Sequence, residues 1–292
     1  MTRLDDQPAG LRSVAETLAA EAAEFVRRRR AEVFGAAADA SKAADSGAVR
    51  SKSTPTDPVT VVDTETERLL RDRLAQLRPG EPILGEEGGG PATSATTPDD
   101  AITWVLDPID GTVNFVYGIP AYAVSIAAQV NGESVAGAVA DVVGARVYSA
   151  AIGLGAHVID GQRVSPLRCA AADELSMALL GTGFGYSRGR RAAQAALLAR
   201  ILPAVRDVRR IGSAALDLCM VAAGRLDAFY EHGLQVWDRA AGGLIAAEAG
   251  ARVLVPAPDV GGAGLVVAAA PGIADEILAV LERSGGLDPI LD

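Results

Sequence analysis

The chain has 292 residues, of which 49% are hydrophobic and only 4% aromatic, and its formal net charge is −10 at pH 7. This composition is typical of a globular protein and excludes a disordered or fibrous one, while the negative charge opposes nucleic acid as the main partner. No apolar run approaches the roughly 18 residues that span a bilayer, and no apolar segment follows the opening MTRLDDQPAG, so we expect a cytoplasmic protein without a membrane partner.

The first part of the chain predicts two helices. Residues 11–30 place apolar side chains on one face at helical spacing, and we interpret the four arginines that end this segment as a solvated helix end rather than an RNA contact. A second helix is expected to begin near Thr64, because Thr64 and Glu67 have the spacing of a capping box. The small or polar segments 35–47 and 91–100 are predicted loops.

Strands dominate the middle of the chain. The short apolar segments in PILGEEGGG and AITWVLDPID predict strands that end in acidic residues. A β-meander follows from Ala121 to Val164, because Asn131-Gly132 and Asp160-Gly161 are strong hairpin turns. Strands and helices then alternate up to a final helix after Pro271. Two sheets interleaved with helices in layers, an α/β fold, fit this order best.

No internal repeat or linker divides the chain convincingly. We therefore predict one domain over residues 1–292, with an N-terminal half at about 11–165 and a C-terminal half at about 166–292.

Acidic residues gather where predicted elements end: Asp63, Glu86, Glu87, Asp107, Asp110 and Asp238. Several carboxylates in one dry cleft would raise one another's pKa and destabilise the fold. A divalent cation removes that conflict, and hard oxygen ligands suit Mg²⁺, which also binds substrate phosphates.

The segment WVLDPIDGT shows how such a site could form. Pro108 fixes φ and lacks an N–H, so we expect the backbone to leave the sheet there, with Asp107 and Asp110 pointing into one pocket. A helix that begins near Thr112 would offer free N–H groups to an anion. Alone, this pattern favours an ordinary turn, and three further segments change that interpretation.

Four segments together resemble the inositol monophosphatase family: KSTPTDPVTVVD at 52–63, GEE at 85–87, WVLDPIDGTVNF at 104–115 and WDRAAGGLIAAEAGA at 237–251. Their order and intervals match over most of the chain, and the full set is specific although no single motif is. The resemblance implies the αβαβα sandwich of sugar phosphatases. It also implies a Mg²⁺-dependent phosphomonoesterase that hydrolyses inositol-1-phosphate by in-line attack of a metal-activated water, without a covalent intermediate.

The same resemblance implies two or three Mg²⁺ ions in the site. Glu86, Asp107 and the Ile109 carbonyl would hold the first ion. Asp107, Asp110 and Asp238 would hold the second, and a weaker third ion would lie near Glu86.

Substrate contacts and catalytic groups are implied in the same way. Thr112, hydrogen-bonded to Asp63, would orient the attacking water together with Glu86, and Gly111 and Thr112 would offer backbone N–H groups to the phosphate. Lys52 would lie on a mobile loop that closes over the site. The remaining substrate contacts would be Asp110, Ser213, Ala214 and Glu231.

Several interpretations stay open. Asp63 and Asp238 could each cap a helix, and Lys52 could be an ordinary loop lysine. His232 could be a packing residue or a substrate contact, whereas His157 is expected to be structural. Val113 stands where the family commonly has a second threonine.

The substrate and any second role stay open as well. The same chemistry could act on fructose-1,6-bisphosphate, 3′-phosphoadenosine phosphates or histidinol phosphate, and Arg209 and Arg210 are compatible with a bisphosphate. A regulatory role beside RNA polymerase or ribosome factors is a further alternative. The resemblance also implies a homodimer and inhibition by lithium.

Overall fold

The computed structural model describes residues 7–35, 48–52, 54, 56–90, 101–256 and 264–290. Apart from Gly35, the predicted loops at 35–47 and 91–100 lie outside these residues. In chain order, the first elements are α1 (Pro8–Phe34), β1 (Val49–Ser51), β2 (Pro58–Thr60), α2 (Val61–Leu77), β3 (Ile83–Gly85), β4 (Ile102–Asp110) and α3 (Thr112–Tyr117). Strands β1 and β2 form an antiparallel pair that the sequence did not predict.

The predicted first helix is confirmed as α1, but its four arginines do not mark its end, and only Arg27 and Arg28 among them are exposed. The helix continues past them to Phe34. Arg29 Nε lies 2.7 Å from Glu65 Oε2 on α2, and Arg30 Nε donates to the Phe115 carbonyl on α3 at 3.0 Å. The arginine run therefore ties α1 to the helices beside the acidic segments.

The second helix begins one turn earlier than the sequence predicted. Thr60 is its N-cap, with the Thr60 hydroxyl and the Asp63 carboxylate forming the capping box. The proposed pair of Thr64 and Glu67 is wrong, because Thr64 already lies inside the helix. Asp63 is likewise not an N-cap residue but the third residue of α2.

The meander prediction is confirmed. Its strands are β5 (Ala123–Val130), β6 (Glu133–Asp141), β7 (Arg146–Ala151), β8 (Ala156–Asp160) and β9 (Arg163–Pro166). Asn131-Gly132 joins β5 to β6, and Gly161 lies in the turn between β8 and β9, each with positive φ. Together with β3 and β4 these strands form a seven-stranded sheet in the order β3-β4-β5-β6-β7-β8-β9, in which only β3 and β4 are parallel.

The second half contains β10 (Leu179–Thr182), α4 (Arg188–Ile201), β11 (Asp207–Arg209), α5 (Ala214–Ala222), β12 (Ala228–His232), α6 (Val236–Glu248), β13 (Arg252–Leu254), β14 (Leu265–Ala269) and α7 (Ala274–Arg283). Its five strands form a mixed sheet in the order β11-β10-β12-β14-β13. Within the described residues, no helix is both long and apolar enough to cross a membrane.

Three apolar clusters stack the elements in layers. Buried side chains of α1 and α2 pack on one face of the seven-stranded sheet. Those of α5 and α6 lie between the two sheets, and those of α4 and α7 cover the far face of the second sheet. The layered α/β architecture is thus confirmed, while the boundary between its halves near residue 165 stays a prediction.

Candidate active site

A cavity of about 680 Å³, here called the cleft, lies where the acidic segments meet. Its lining contains every predicted site residue except Asp63: Lys52, Glu86, Asp107, Ile109, Asp110, Gly111, Thr112, Ser213, Ala214, Glu231 and Asp238. Because these residues come from both halves of the chain, the cleft exists only when both sheets are assembled.

A bulge in β4 aims two aspartates into the cleft. Asp107 pairs with Ser125 and Asp110 with Ala123, so Pro108 and Ile109 together oppose a single residue of β5. The expectation that the chain leaves the sheet at Pro108 is wrong, since β4 continues to Asp110. The chain therefore stays in the sheet, and the bulge turns the Asp107 and Asp110 side chains to the same side.

Three carboxylates meet at this point. Asp107, Asp110 and Asp238 each offer an oxygen atom that lies within 4.8 Å of the other two. Asp107 is 1% exposed. Its Oδ1 accepts from the Ile109 N–H at 3.0 Å, whereas its Oδ2 is buried without a hydrogen-bond partner among the described residues. A buried carboxylate oxygen of this kind is costly unless a cation or a proton satisfies it.

Burial and mutual repulsion raise the pKa values of these acids. For Asp107, burial is the largest cause, followed by the negative charges of Glu86, Asp110 and Asp238. Burial also raises the pKa of Asp238, together with its acidic neighbours. The pKa of Asp110 rises to about 6, because burial outweighs the hydrogen bonds that favour its charged form.

Two helix N-termini fix the positions of Asp110 and Asp238. Asp110 Oδ2 accepts from Ser213 Oγ at 2.5 Å and from the Ala215 N–H at 2.7 Å, at the start of α5. Asp238 Oδ2 accepts from the Gln235 N–H at 2.6 Å, which closes the capping box of α6. Asp238 therefore takes part in a helix cap and still lines the cleft, so the two interpretations of this residue are compatible.

Thr112 is held behind the carboxylates. Its hydroxyl lies 3.2 Å from Asp63 Oδ1 and 3.0 Å from the Ile109 carbonyl oxygen. Asp63 also accepts from the Thr60 N–H at 2.9 Å, so it joins the cap of α2 to the cleft. Gly111 has φ +92, and a Cβ there would lie 3.0 Å from the Gly212 carbonyl oxygen, which explains the glycine in this turn.

The turn after β3 presents Glu86 and Glu87 to Lys52. Lys52 Nζ lies 2.7 Å from Glu86 Oε1 and also contacts the Glu87 carboxylate. Lys52 is thus paired with the acids of the cleft, rather than being an isolated loop lysine. A positive charge in this place offsets part of the acidic repulsion.

The cleft lining also contains residues that sequence reasoning missed, including Tyr186, which lies between β10 and α4, and Arg190 in the first turn of α4. No motif marked them, since their position depends on how the two sheets meet. Arg210 lines the cleft, whereas Arg209 does not appear in its lining. Glu231 has its pKa raised to about 8, because burial outweighs the attraction of Arg210.

The two histidines have different surroundings. His232 is buried at the cleft wall, with its Nε2 2.9 Å from the Gly286 carbonyl oxygen. His157 Nε2 lies 3.0 Å from Ser149 Oγ and 2.9 Å from Glu16 Oε1, between the meander and α1. His157 is therefore a structural contact, as expected.

The donor set fits a hard divalent cation. Carboxylate oxygens converge within 4.8 Å, one of them is buried without a partner, and the sulfur and imidazole groups that softer metals prefer do not take part in this cluster. Such a site can polarise a phosphate ester.

The chain is similar to known proteins both in sequence and in fold. A family model described as the inositol monophosphatase family matches residues 8–285. SuhB of Mycobacterium tuberculosis H37Rv, named an inositol-1-monophosphatase, is 75% identical over 294 residues and covers 100% of both chains. The inositol-1-monophosphatase of Mycobacterium leprae has the same identity and coverage. The solved structure of Mycobacterium tuberculosis SuhB has a TM-score of 0.81 at 67% identity, covering 97% of this chain and 99% of its own.

Proposed function

Because the chain belongs to the inositol monophosphatase family, whose members are metal-dependent phosphatases, we propose that its cleft hydrolyses inositol-1-phosphate to inositol and phosphate with Mg²⁺. The observation that carries this proposal is the Asp107 Oδ2 atom, which is buried without a partner inside a group of three carboxylates. The names of the two mycobacterial relatives support inositol-1-phosphate as the substrate.

The acidic residues of the cleft would form two or three cation sites. Asp107, Asp110 and Asp238 would hold one Mg²⁺, and Glu86, Asp107 and the Ile109 carbonyl would hold another, with a third and weaker ion near Glu86. When bound, such ions lower the pKa of water and stabilise negative charge on the leaving oxygen.

The protein's own groups would orient the reactants. Thr112 and Glu86 would position the attacking water, with the Thr112 hydroxyl held by Asp63 at 3.2 Å. The backbone N–H groups of Gly111 and Thr112 would face the phosphate, and Lys52 would close the cleft beside Glu86. Ser213, Ala214 and Glu231 would contact the hydroxyl groups of the polyol, since all three line the cleft.

A substrate panel tests the proposal. Phosphate release should be fastest with inositol-1-phosphate when it is compared with fructose-1,6-bisphosphate, 3′-phosphoadenosine phosphates and histidinol phosphate, and it should require Mg²⁺. Arg210 lines the cleft and could bind a second phosphate group. Fructose-1,6-bisphosphate is therefore the main competing substrate. Faster phosphate release from any of the other three substrates would contradict inositol-1-phosphate as the preferred substrate. Equal phosphate release in the presence of a chelator would contradict the requirement for Mg²⁺.

Three finer expectations belong to the same proposal. Li⁺ would inhibit by replacing one Mg²⁺, the active form would be a homodimer, and the enzyme would act in the cytoplasm. Millimolar Li⁺ that left phosphate release unchanged at low Mg²⁺ would argue against the second cation site. A regulatory role beside RNA polymerase or ribosome factors stays a prediction.

A further inference from the structure

Glu67, the residue wrongly expected to cap α2, lies under the turn that carries Glu86. Its side chain is 3% exposed. Glu67 Oε2 accepts from the Glu87 N–H at 2.7 Å, and Oε1 accepts from the Gly88 N–H at 2.9 Å. A buried carboxylate thus occupies the inside of this turn, at distances typical of charge-assisted hydrogen bonds.

Arg71 completes the arrangement one helical turn later. Its Nε lies 2.7 Å from Glu67 Oε1, and its Nη2 donates to the Gly89 carbonyl oxygen at 2.5 Å. The pair therefore satisfies two N–H groups and one carbonyl of the turn, and Arg71 neutralises the buried Glu67 charge. We call Glu67 and Arg71 the loop clamp.

Two glycines of the GEEGGG segment, Gly85 and Gly88, pack closely against the Glu67 side chain of the loop clamp. A Cβ on Gly85 would lie 2.4 Å from Glu67 Oε1, and a Cβ on Gly88 would lie 2.7 Å from the same atom. Neither glycine has a positive φ. Close packing against the Glu67 carboxylate, and not backbone conformation, therefore favours glycine at both positions.

The same helix face also holds Thr112. Asp63, Glu67 and Arg71 are spaced by four residues, so their side chains project from the same side of α2. Asp63 binds the Thr112 hydroxyl and Glu67 binds the turn of Glu86. One rigid helix thus sets the distance between the two groups that would orient the attacking water.

We propose that Glu67 and Arg71 are positioning residues that hold the Glu86 carboxylate in place for cation binding at the cleft. This inference deepens the proposed function and rests on it. Neither residue lines the cleft, so both act through Glu86 and not on the substrate. The Glu86 N–H is bound to the Leu106 carbonyl at 3.1 Å, so β4 holds one side of the turn and the loop clamp holds the other.

Glu67→Gln keeps the shape of the side chain but removes the charge and one acceptor. In the metal-free protein, amide hydrogen exchange at Glu87 and Gly88 should accelerate about 10–100-fold, since hydrogen bonds to a charged group are lost. Mn²⁺ affinity, measured by electron paramagnetic resonance of the free ion, should fall about 10–100-fold. Raised Mg²⁺ should restore part of the lost phosphate release.

Glu65→Gln is the matched control, because Glu65 lies on the same helix and pairs with Arg29, away from the turn. It should leave exchange at Glu87 and Gly88, and Mn²⁺ affinity, as in the wild type. Arg71→Lys offers a milder variant should Glu67→Gln fold poorly. It keeps a charge beside Glu67 but loses the bond to the Gly89 carbonyl, so the same two quantities should change less.

Wild-type Mn²⁺ affinity in Glu67→Gln and Arg71→Lys would overturn the inference, even if exchange at the turn were faster. Equal losses in Glu65→Gln would also overturn it, because they would reflect general destabilisation of α2. A wild-type protein that bound no Mn²⁺ would overturn the proposed function itself. If amide hydrogen exchange at Glu87 and Gly88 in that wild-type protein were still slow, the loop clamp would be present. The failure would then lie in cation binding and not in the loop clamp.

Discussion

In the metal-free protein, the Asp107 carboxylate is a buried charge beside three other acids, and replacing it with asparagine should stabilise the fold while abolishing activity. Asparagine has the same shape. Its oxygen can still accept from the Ile109 N–H, which lies 3.0 Å from Oδ1. Its NH₂ group would replace the oxygen that has no partner and could donate to a neighbouring carboxylate.

The size of the effect follows from the spacing of the acids. Two unit charges no more than 4.8 Å apart repel by at least about 3 kcal/mol at an effective dielectric constant of roughly 20. The raised pKa values of Asp107 and its neighbours mean that bound protons already relieve part of this repulsion. We therefore expect a net gain of about 1–3 kcal/mol in the free energy of unfolding, or roughly 2–5 °C in Tm.

Thermal unfolding of wild type and Asp107→Asn, each with chelator and with Mg²⁺, measures this directly. With chelator, Asp107→Asn should melt at the higher temperature. With Mg²⁺ at about 100 times its Kd, the wild type should gain about 2.7 kcal/mol, whereas the variant should gain little and lose more than about 100-fold of phosphate release. Asp160→Asn, which removes an exposed carboxylate that does not line the cleft, should resemble the wild type.

A lower Tm for Asp107→Asn than for the wild type in chelator would refute the reasoning, because repulsion between the acids would then not limit stability. An equal gain from Mg²⁺ in both proteins would show that the cation binds elsewhere.

Three other predictions concern neighbouring groups. Glu231 keeps its proton up to a pKa of about 8 in the fold but loses it near 4.3 when unfolded. Stability should therefore fall by up to about 1.4 kcal/mol per pH unit between these values, and Glu231→Gln should flatten that fall; an unchanged slope would count against the raised pKa. Gly111→Ala, at φ +92, should cost about 1–3 kcal/mol in denaturant unfolding, whereas Gly243→Ala, with open space and no positive φ, should not destabilise. If both substitutions lowered the free energy of unfolding equally, backbone strain at Gly111 would not be the cause. Thr112→Val should lower kcat about 10²–10⁴-fold with little change in KM, and Thr112→Ser should restore it; full activity in Thr112→Val would remove this hydroxyl from the mechanism.

Elements determined by local patterns could be predicted from the sequence. The apolar spacing of α1 and the Asn131-Gly132 turn depend on residues close together in the chain, and both were found where expected. The convergence of Asp107, Asp110 and Asp238 required the family resemblance, because spacing alone does not show that β4 and the start of α6 meet.

Features that depend on distant contacts could not be predicted. Two segments have capping-box spacing, at Thr60 and at Thr64, and the sequence does not show which one starts α2. Spacing alone places Glu67 in the second box, whereas its carboxylate binds a turn about twenty residues away. Pro108 was expected to end β4, but the bulge leaves it without a ladder partner, so its missing N–H costs no hydrogen bond there.

The central claim is that these acids converge in order to hold a divalent cation. Anomalous diffraction at the manganese edge, from crystals of the wild-type protein equilibrated with Mn²⁺, tests it most directly. The account predicts an anomalous peak between the carboxylates of Asp107, Asp110 and Asp238. An enzyme that is active with Mn²⁺ but shows no peak there, or a peak only elsewhere, would contradict it.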